Sequence, residues 1–93
     1  MSLNVLVIGG SRHIGYYSAL RFLDAGSTVT FLLRCPTAFD DDPTIQKYFK
    51  SGKARLVRGD GLVVADVQTV WAAASIDKPV DVLLFTVGFS EYK

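Results

Sequence analysis

The stretch Val5-Leu6-Val7-Ile8-Gly9-Gly10-Ser11-Arg12-His13-Ile14-Gly15 constrains this chain more than any other. Four apolar residues suited to a buried strand run directly into a glycine-rich turn. A helical pattern follows at once, with Gly15, Ala19 and Leu23 spaced four apart on one face. A glycine pattern alone is a weak signal; between a strand and a helix it becomes a phosphate-binding unit. The first turn of such a helix has unpaired N–H groups and the positive end of the helix dipole, both suited to a pyrophosphate. Gly9 would let the backbone turn sharply, and Gly15 would let the helix pack close to the strand. A tight turn with no ligand uses the same local geometry, but the remainder of the chain favours the first βα unit of a dinucleotide-binding fold.

At 93 residues the sequence is one domain, near the lower end of independently folding size. Its apolar residues, 49% of the total, come in short blocks between polar turns, and no block is long enough to span a bilayer. Met1-Ser2-Leu3-Asn4 leads straight into a strand without the features of a secretory leader, so a cytoplasmic protein is expected. The single cysteine, Cys35, allows no internal disulfide. Ten basic and nine acidic residues give a net charge of +1. No basic block points to nucleic acid, and no amphipathic stretch points to a membrane.

Along the chain, residues 4–8 are expected as strand one and 13–25 as helix one, with Gly26 as a left-handed C-cap. Thr28 to Leu33 is a β-branched and aromatic strand two. After a loop, Asp42 caps helix two and Pro43 occupies its first position; Ile45, Tyr48 and Phe49 form its apolar stripe, and Gly52 ends it. Residues 54–58 form a short strand three with arginines at its flanks. Gly59-Asp60-Gly61 turns the chain. Asp66 can cap helix three, whose stripe of Val67, Val70, Trp71 and Ala74 makes Trp71 most simply a core residue. Asp77-Lys78-Pro79 breaks that helix. Residues 80–87 read as strand four, apolar on both faces as a buried parallel strand should be, and Gly88 ends it.

This β-α-β-α-β-α-β order predicts a Rossmann-type α/β fold of three layers, α/β/α. Right-handed crossovers give a parallel sheet of four strands in the order 3-2-1-4, half of a doubly wound fold. Helices one and two would cover one face and helix three the other. Ligands in such sheets sit beyond the carboxyl ends of the strands, at the switch point between strands one and four. Four loops meet there: 9–15, 34–36, 59–61 and 86–88.

The turn Ile8-Gly9-Gly10-Ser11-Arg12-His13-Ile14-Gly15 resembles the T-G-x-x-G-x-x-G fingerprint of extended and atypical short-chain dehydrogenase/reductases, the NAD-dependent epimerase/dehydratase group. Gly26-Ser27-Thr28-Val29, Arg58-Gly59-Asp60 and Asp81-Val82-Leu83-Leu84-Phe85-Thr86-Val87-Gly88 are similar to the family's approach to strand two, end of strand three and strand four. Arg12 stands where the middle glycine belongs, and Ile8 where the threonine belongs; some atypical members share that turn. The resemblance covers nearly the whole chain but only the first part of a family domain. It implies a catalytic Tyr-x-x-x-Lys beyond strand four. No such pair exists in these 93 residues: four places after Tyr16, Tyr17 and Tyr48 stand Leu20, Arg21 and Gly52.

The candidate site follows. Backbone N–H groups of Gly9, Gly10, Ser11, Arg12, His13, Ile14 and Gly15 would line the pyrophosphate, so their side chains can vary. The Ser11 hydroxyl serves equally as phosphate donor or helix N-cap. Arg34 stands about twenty residues past the fingerprint, where NAD sites place an acid on the ribose 2′-hydroxyl. An arginine there suits the 2′-phosphate of NADP, with NAD as the alternative, and Arg12 could clamp the same phosphate. Two solvated loop arginines are the competing reading. By resemblance, Asp60 beside Gly61 accepts from the adenine amino group, or is simply a turn aspartate. Thr86, Val87 and Gly88 would pass near the nicotinamide ribose, or merely end the strand. His13 and Cys35 carry no supporting constellation, and Asp40-Asp41-Asp42 reads as helix-start acids rather than metal ligands. The dinucleotide is thus the expected partner. Strand four, an edge without charge or proline, adds an expected homodimer by antiparallel pairing with its symmetry mate. A non-catalytic module acting by self-association or protein binding is the rival to an oxidoreductase segment.

Overall fold

The computed structural model describes residues 2–9, 13–35, 37, 39–76 and 78–85, without the side chains of residues 13 and 14. Its elements are β1 (Asn4–Ile8), α1 (His13–Asp24), β2 (Thr28–Leu33), α2 (Pro43–Ser51), β3 (Ala54–Arg58), α3 (Val64–Ala74) and β4 (Val82–Phe85). The four strands are parallel in the order β3-β2-β1-β4, as the sequence predicts.

Apolar side chains on both faces of β1 and β2 explain their central places. On one face Val5, Val7, Val29, Phe31 and Leu33 pack with Ala19 and Leu23 of α1 and Ile45 of α2. On the other, Leu6, Ile8 and Leu32 meet Val70 and Ala74 of α3. Phe39, from the loop between β2 and α2, is buried in the first core, with its ring centroid 5.0 Å from that of Phe31 and 5.9 Å from that of Phe49.

The helix ends follow local chemistry. Gly26 has φ 93°, its N–H bonds Leu23 O, and Ser27 N bonds Phe22 O, which ends α1 at Asp24, one residue before the expected Ala25. Asp42 caps α2 by accepting from Thr44 N at 3.0 Å, Pro43 opens the helix, and Gly52 closes it at φ 85°.

Three expectations fail on the α3 side. Asp66 does not cap α3: Val63 is the N-cap and makes no side-chain bond, because Asp66 already lies in the first turn. Helix α3 stops at Ala74, where the Ser75 hydroxyl and amide both return to Trp71 O, before the expected break at 77–79. Trp71 is not core but 44% exposed. On the helix wheel it stands about 70° from the middle of the inward stripe of half-buried Val67 and buried Val70 and Ala74, too far round to reach the sheet.

Strand β4 is shorter and less buried than expected. It spans Val82–Phe85, within the expected 80–87, and residues 86 and 87 lie outside the described residues. Val82 and Leu84 lean onto the α1 face, whereas Leu83 and Phe85 point to the α3 face and are 48% and 53% exposed. One helix cannot span four strands on that side: α3 lies over β1 and β2.

Asn4 joins the start of β1 to the far end of the chain. Its Nδ2 donates to Ala74 O at 2.8 Å, Lys78 O at 2.9 Å and Pro79 O at 3.2 Å. The last turn of α3 and the loop into β4 are therefore fixed by one buried side chain.

Candidate functional site

All strands being parallel, their carboxyl ends share one edge. The register sets Ile8 against both Leu32 and Phe85, and Leu33 against Arg58. Two glycines carry the ladder one residue further: Gly9 N donates to Leu32 O at 2.9 Å, and Gly59 N to Leu33 O at 2.8 Å. The two loops are thus anchored on successive carbonyls of β2, and Arg34 is the next residue along.

Gly9 has φ 89°, the left-handed region that glycine adopts without strain, so the backbone leaves β1 sharply as the turn requires. Gly15 is buried in the first turn of α1. Helix α1 begins at His13 and has no acidic residue in its first turn. Its positive end is therefore not neutralised by an acid from that turn. Gly10, Ser11 and Arg12 lie outside the described residues, as do Thr86, Val87 and Gly88; His13 and Ile14 are described in backbone only.

Arg34 is exposed and has no carboxylate partner among the described residues. Its neighbour Cys35 is exposed too, with Sγ 3.2 Å from Thr37 Oγ1; that contact and the Thr37 backbone hold the thiol below its ordinary pKa.

Asp60 is held on three sides. Its N–H donates to Asp66 Oδ2 at 2.8 Å, its Oδ1 accepts from Leu62 N at 2.9 Å, and its carbonyl accepts from Val63 N at 3.0 Å. This is an Asx turn, and it leaves Oδ2 without a partner among the described residues. Gly59 permits the turn. A Cβ there would stand 2.7 Å from Leu32 Cδ1 and 3.0 Å from Asp66 Cβ. Asp66, expected as a cap, instead orients the Asp60 turn. Sequence reading missed this role, although an acid six residues after the turn, in a helical first turn, is a signal for it. Gly61 follows, half-buried.

The described geometry thus brings Gly9, Arg34, Asp60 and Gly61 to one edge, with the N-terminus of α1 beside them. This is a backbone-lined, weakly charged setting suited to holding an extended anion. Two clefts lie elsewhere, on the α1–α2 side: one of about 190 Å³ lined by Phe39, Asp40, Gln46, Phe49 and Leu56, and one of about 460 Å³ at Ser18, Arg21, Phe22 and Ala25. Neither includes Gly9, Arg34, Asp60 or Gly61. Among the described residues no helix is long and apolar enough to cross a membrane.

No family model and no curated protein matches the sequence. Solved structures do. A short-chain dehydrogenase from Rhodopseudomonas palustris is 28% identical at a TM-score of 0.74, matching 95% of this chain and 41% of its own. A variant of the actinorhodin polyketide ketoreductase, solved with NADPH, is 24% identical at a TM-score of 0.74, with 94% and 34% covered. A reductase/Diels-Alderase from Malbranchea aurantiaca is 18% identical at a TM-score of 0.75, with 94% and 37% covered. The chain therefore spans between a third and two-fifths of the length of these proteins. Its Rossmann-type sheet is similar to that of short-chain dehydrogenase/reductases over nearly all of this sequence.

Proposed function

We propose that this chain is the NAD(P)-binding segment of a short-chain dehydrogenase/reductase-like oxidoreductase, within the extended or epimerase/dehydratase-like group, and that it prefers NADP. The observation that carries this reading is the pair of ladder extensions at Gly9 and Gly59, which set the glycine turn, Arg34 and Asp60 along one edge. The turn 9–15 and the first turn of α1 hold the pyrophosphate by backbone N–H groups. The Arg34 guanidinium takes the 2′-phosphate, because it is exposed and unpaired among the described residues. The spare oxygen of Asp60 accepts from the adenine amino group, while Thr86, Val87 and Gly88 run beside the nicotinamide ribose. The nicotinamide supplies hydride transfer when bound. The residues here orient it, and the Tyr-x-x-x-Lys chemistry belongs to sequence outside these 93 residues. A cytoplasmic location fits this reading.

A second reading is favoured by one observation. Leu83 and Phe85 are half exposed beside the open edge of β4, which pairs with β1 alone among the described strands. This face suits a homodimer, and self-association alone would serve a non-catalytic module.

Calorimetric titration separates the two. NADPH binds more tightly than NADH, and Arg34→Asp erases or reverses the preference, by about tenfold or more for one charge-assisted phosphate pair. Equal affinity of the wild type for both cofactors removes Arg34 from the site, and binding of neither favours the module.

A further inference from the structure

The loop between β2 and α2 carries Arg34 at one end and Asp42 at the other. Its first end is fixed by the sheet, where Leu33 O accepts from Gly59 N. Its interior is anchored by Phe39, which is 3% exposed in the aromatic cluster and whose carbonyl accepts from Gln46 Nε2 at 2.7 Å and Asp42 N at 3.1 Å. The far end is tied across to α1. Asp42 spends Oδ1 on Thr44 N and takes the Tyr16 hydroxyl on Oδ2. Tyr16 lies one residue after Gly15, the last glycine of the turn, with its ring centroid 5.8 Å from that of Phe39.

One hydrogen bond therefore links the helix that ends the glycine turn to the loop that presents Arg34. We infer that Tyr16 and Asp42 are positioning residues for cofactor selectivity, setting the distance between the pyrophosphate turn and the arginine that reads the 2′-position. This rests on the dinucleotide reading above. Neither residue touches the cofactor in it. The tether acts because a 2′-phosphate and a pyrophosphate are carried by the same ribose, which limits the distance between them, so both subsites must keep their spacing. NADH, without the 2′-phosphate, is indifferent to that spacing at the Arg34 end.

The test is Tyr16→Phe, which keeps the ring in the cluster and removes only the hydroxyl. Its NADPH affinity should fall about threefold to tenfold, the scale of one hydrogen bond, with NADH affinity changed less than about twofold on the same scale. Backbone hydrogen exchange across residues 34–42 should quicken while β1 and β2 keep their protection. Asp42→Asn retains a carbonyl for Thr44 N and an N–H for the tyrosine oxygen, so it should keep the wild-type NADPH-to-NADH ratio. Equal losses for both cofactors, or an unchanged NADPH affinity, overturn the inference. So does an Asp42→Asn variant that loses selectivity with its loop still protected, since charge rather than tethering would then be at work. If the wild type binds neither cofactor, the reading of the site fails. Loop exchange then decides the tether alone: unchanged protection in Tyr16→Phe overturns it, and faster exchange confined to 34–42 upholds it.

Discussion

Asn4 and Asp81 exchange two hydrogen bonds between the amino-terminal ends of β1 and β4: Asn4 N donates to Asp81 Oδ2, and Asp81 N to Asn4 O, both at 2.8 Å. They are separated by 77 positions in sequence. Together with the Asn4 amide on Ala74, Lys78 and Pro79 carbonyls, this exchange sets where β4 begins. Asn4→Ala leaves buried carbonyls without a donor and should destabilise the fold by about 2 kcal/mol, read as a lowered urea midpoint. Asp81→Ala removes a single acceptor and should cost about 1 kcal/mol.

Gly59 is fixed by contact rather than by a left-handed backbone. The Cβ of Gly59→Ala would press on Leu32, which is 1% exposed and cannot swing away, and on Asp66. A loss of about 1–3 kcal/mol is expected, with the Asp60 turn displaced. Calorimetry should show weaker binding of both NADPH and NADH, unlike the selective loss in Arg34→Asp.

Alkaline pH should weaken the tether between α1 and α2. Partial burial and then the hydrogen bond that Tyr16 donates to Asp42 push the Tyr16 hydroxyl from an ordinary 10.0 up to about 12. The folded state holds this proton more tightly than the unfolded chain does. Its stabilising share is therefore complete below about pH 10 and is lost as the pH rises through about 12. Tyr48 shifts the same way through Asp24, but at the surface, where solvent screens the effect. Denaturant melts between pH 9 and pH 12 should show the wild type losing stability more steeply than Tyr16→Phe.

The β4 edge should associate. Sedimentation at micromolar concentration is expected to give a dimer, and the paired variant Leu83→Lys with Phe85→Lys a monomer. Both side chains are half exposed, so the charges should not disturb the core. Leu84 would be a poor choice for the same experiment, since it packs against the α1-side core. A wild type that sediments as a monomer ends the homodimer proposal.

Strand order and helix caps were legible because they depend on neighbours in sequence. Gly26, Gly52 and the pair Asp42-Pro43 mark chain direction by their own backbone preferences. The failures cluster around α3. Trp71 follows Val70 in an apolar stripe, and only the helix wheel with the sheet in place puts the tryptophan outside. Asp66 has the composition of a cap, but capping depends on where the first turn begins, which Asp60 and Leu62 decide through the Asx turn. β4 is apolar enough to be central, yet centrality needs cover on both faces, and no strand reports what covers it. For the site, the spacing of Gly9, Arg34 and Asp60 was readable from strand ends. The tether from Tyr16 to Asp42 was not, because those residues are 26 apart in sequence and meet only through the packing of α1 against the β2–α2 loop.

The central place of β1 also governs how the molecule assembles. Its residues pair with 28–32 on one side and 82–85 on the other, so β1, synthesised before the other described strands, has an unfilled side until the last of them arrives. Closing that gap is a long-range search, which should slow folding relative to a chain built from local contacts. During that interval β1, apolar on both faces, exposes a bare edge to any passing strand. Crowded expression should therefore favour inclusion bodies, and slow synthesis at low temperature should favour the native sheet.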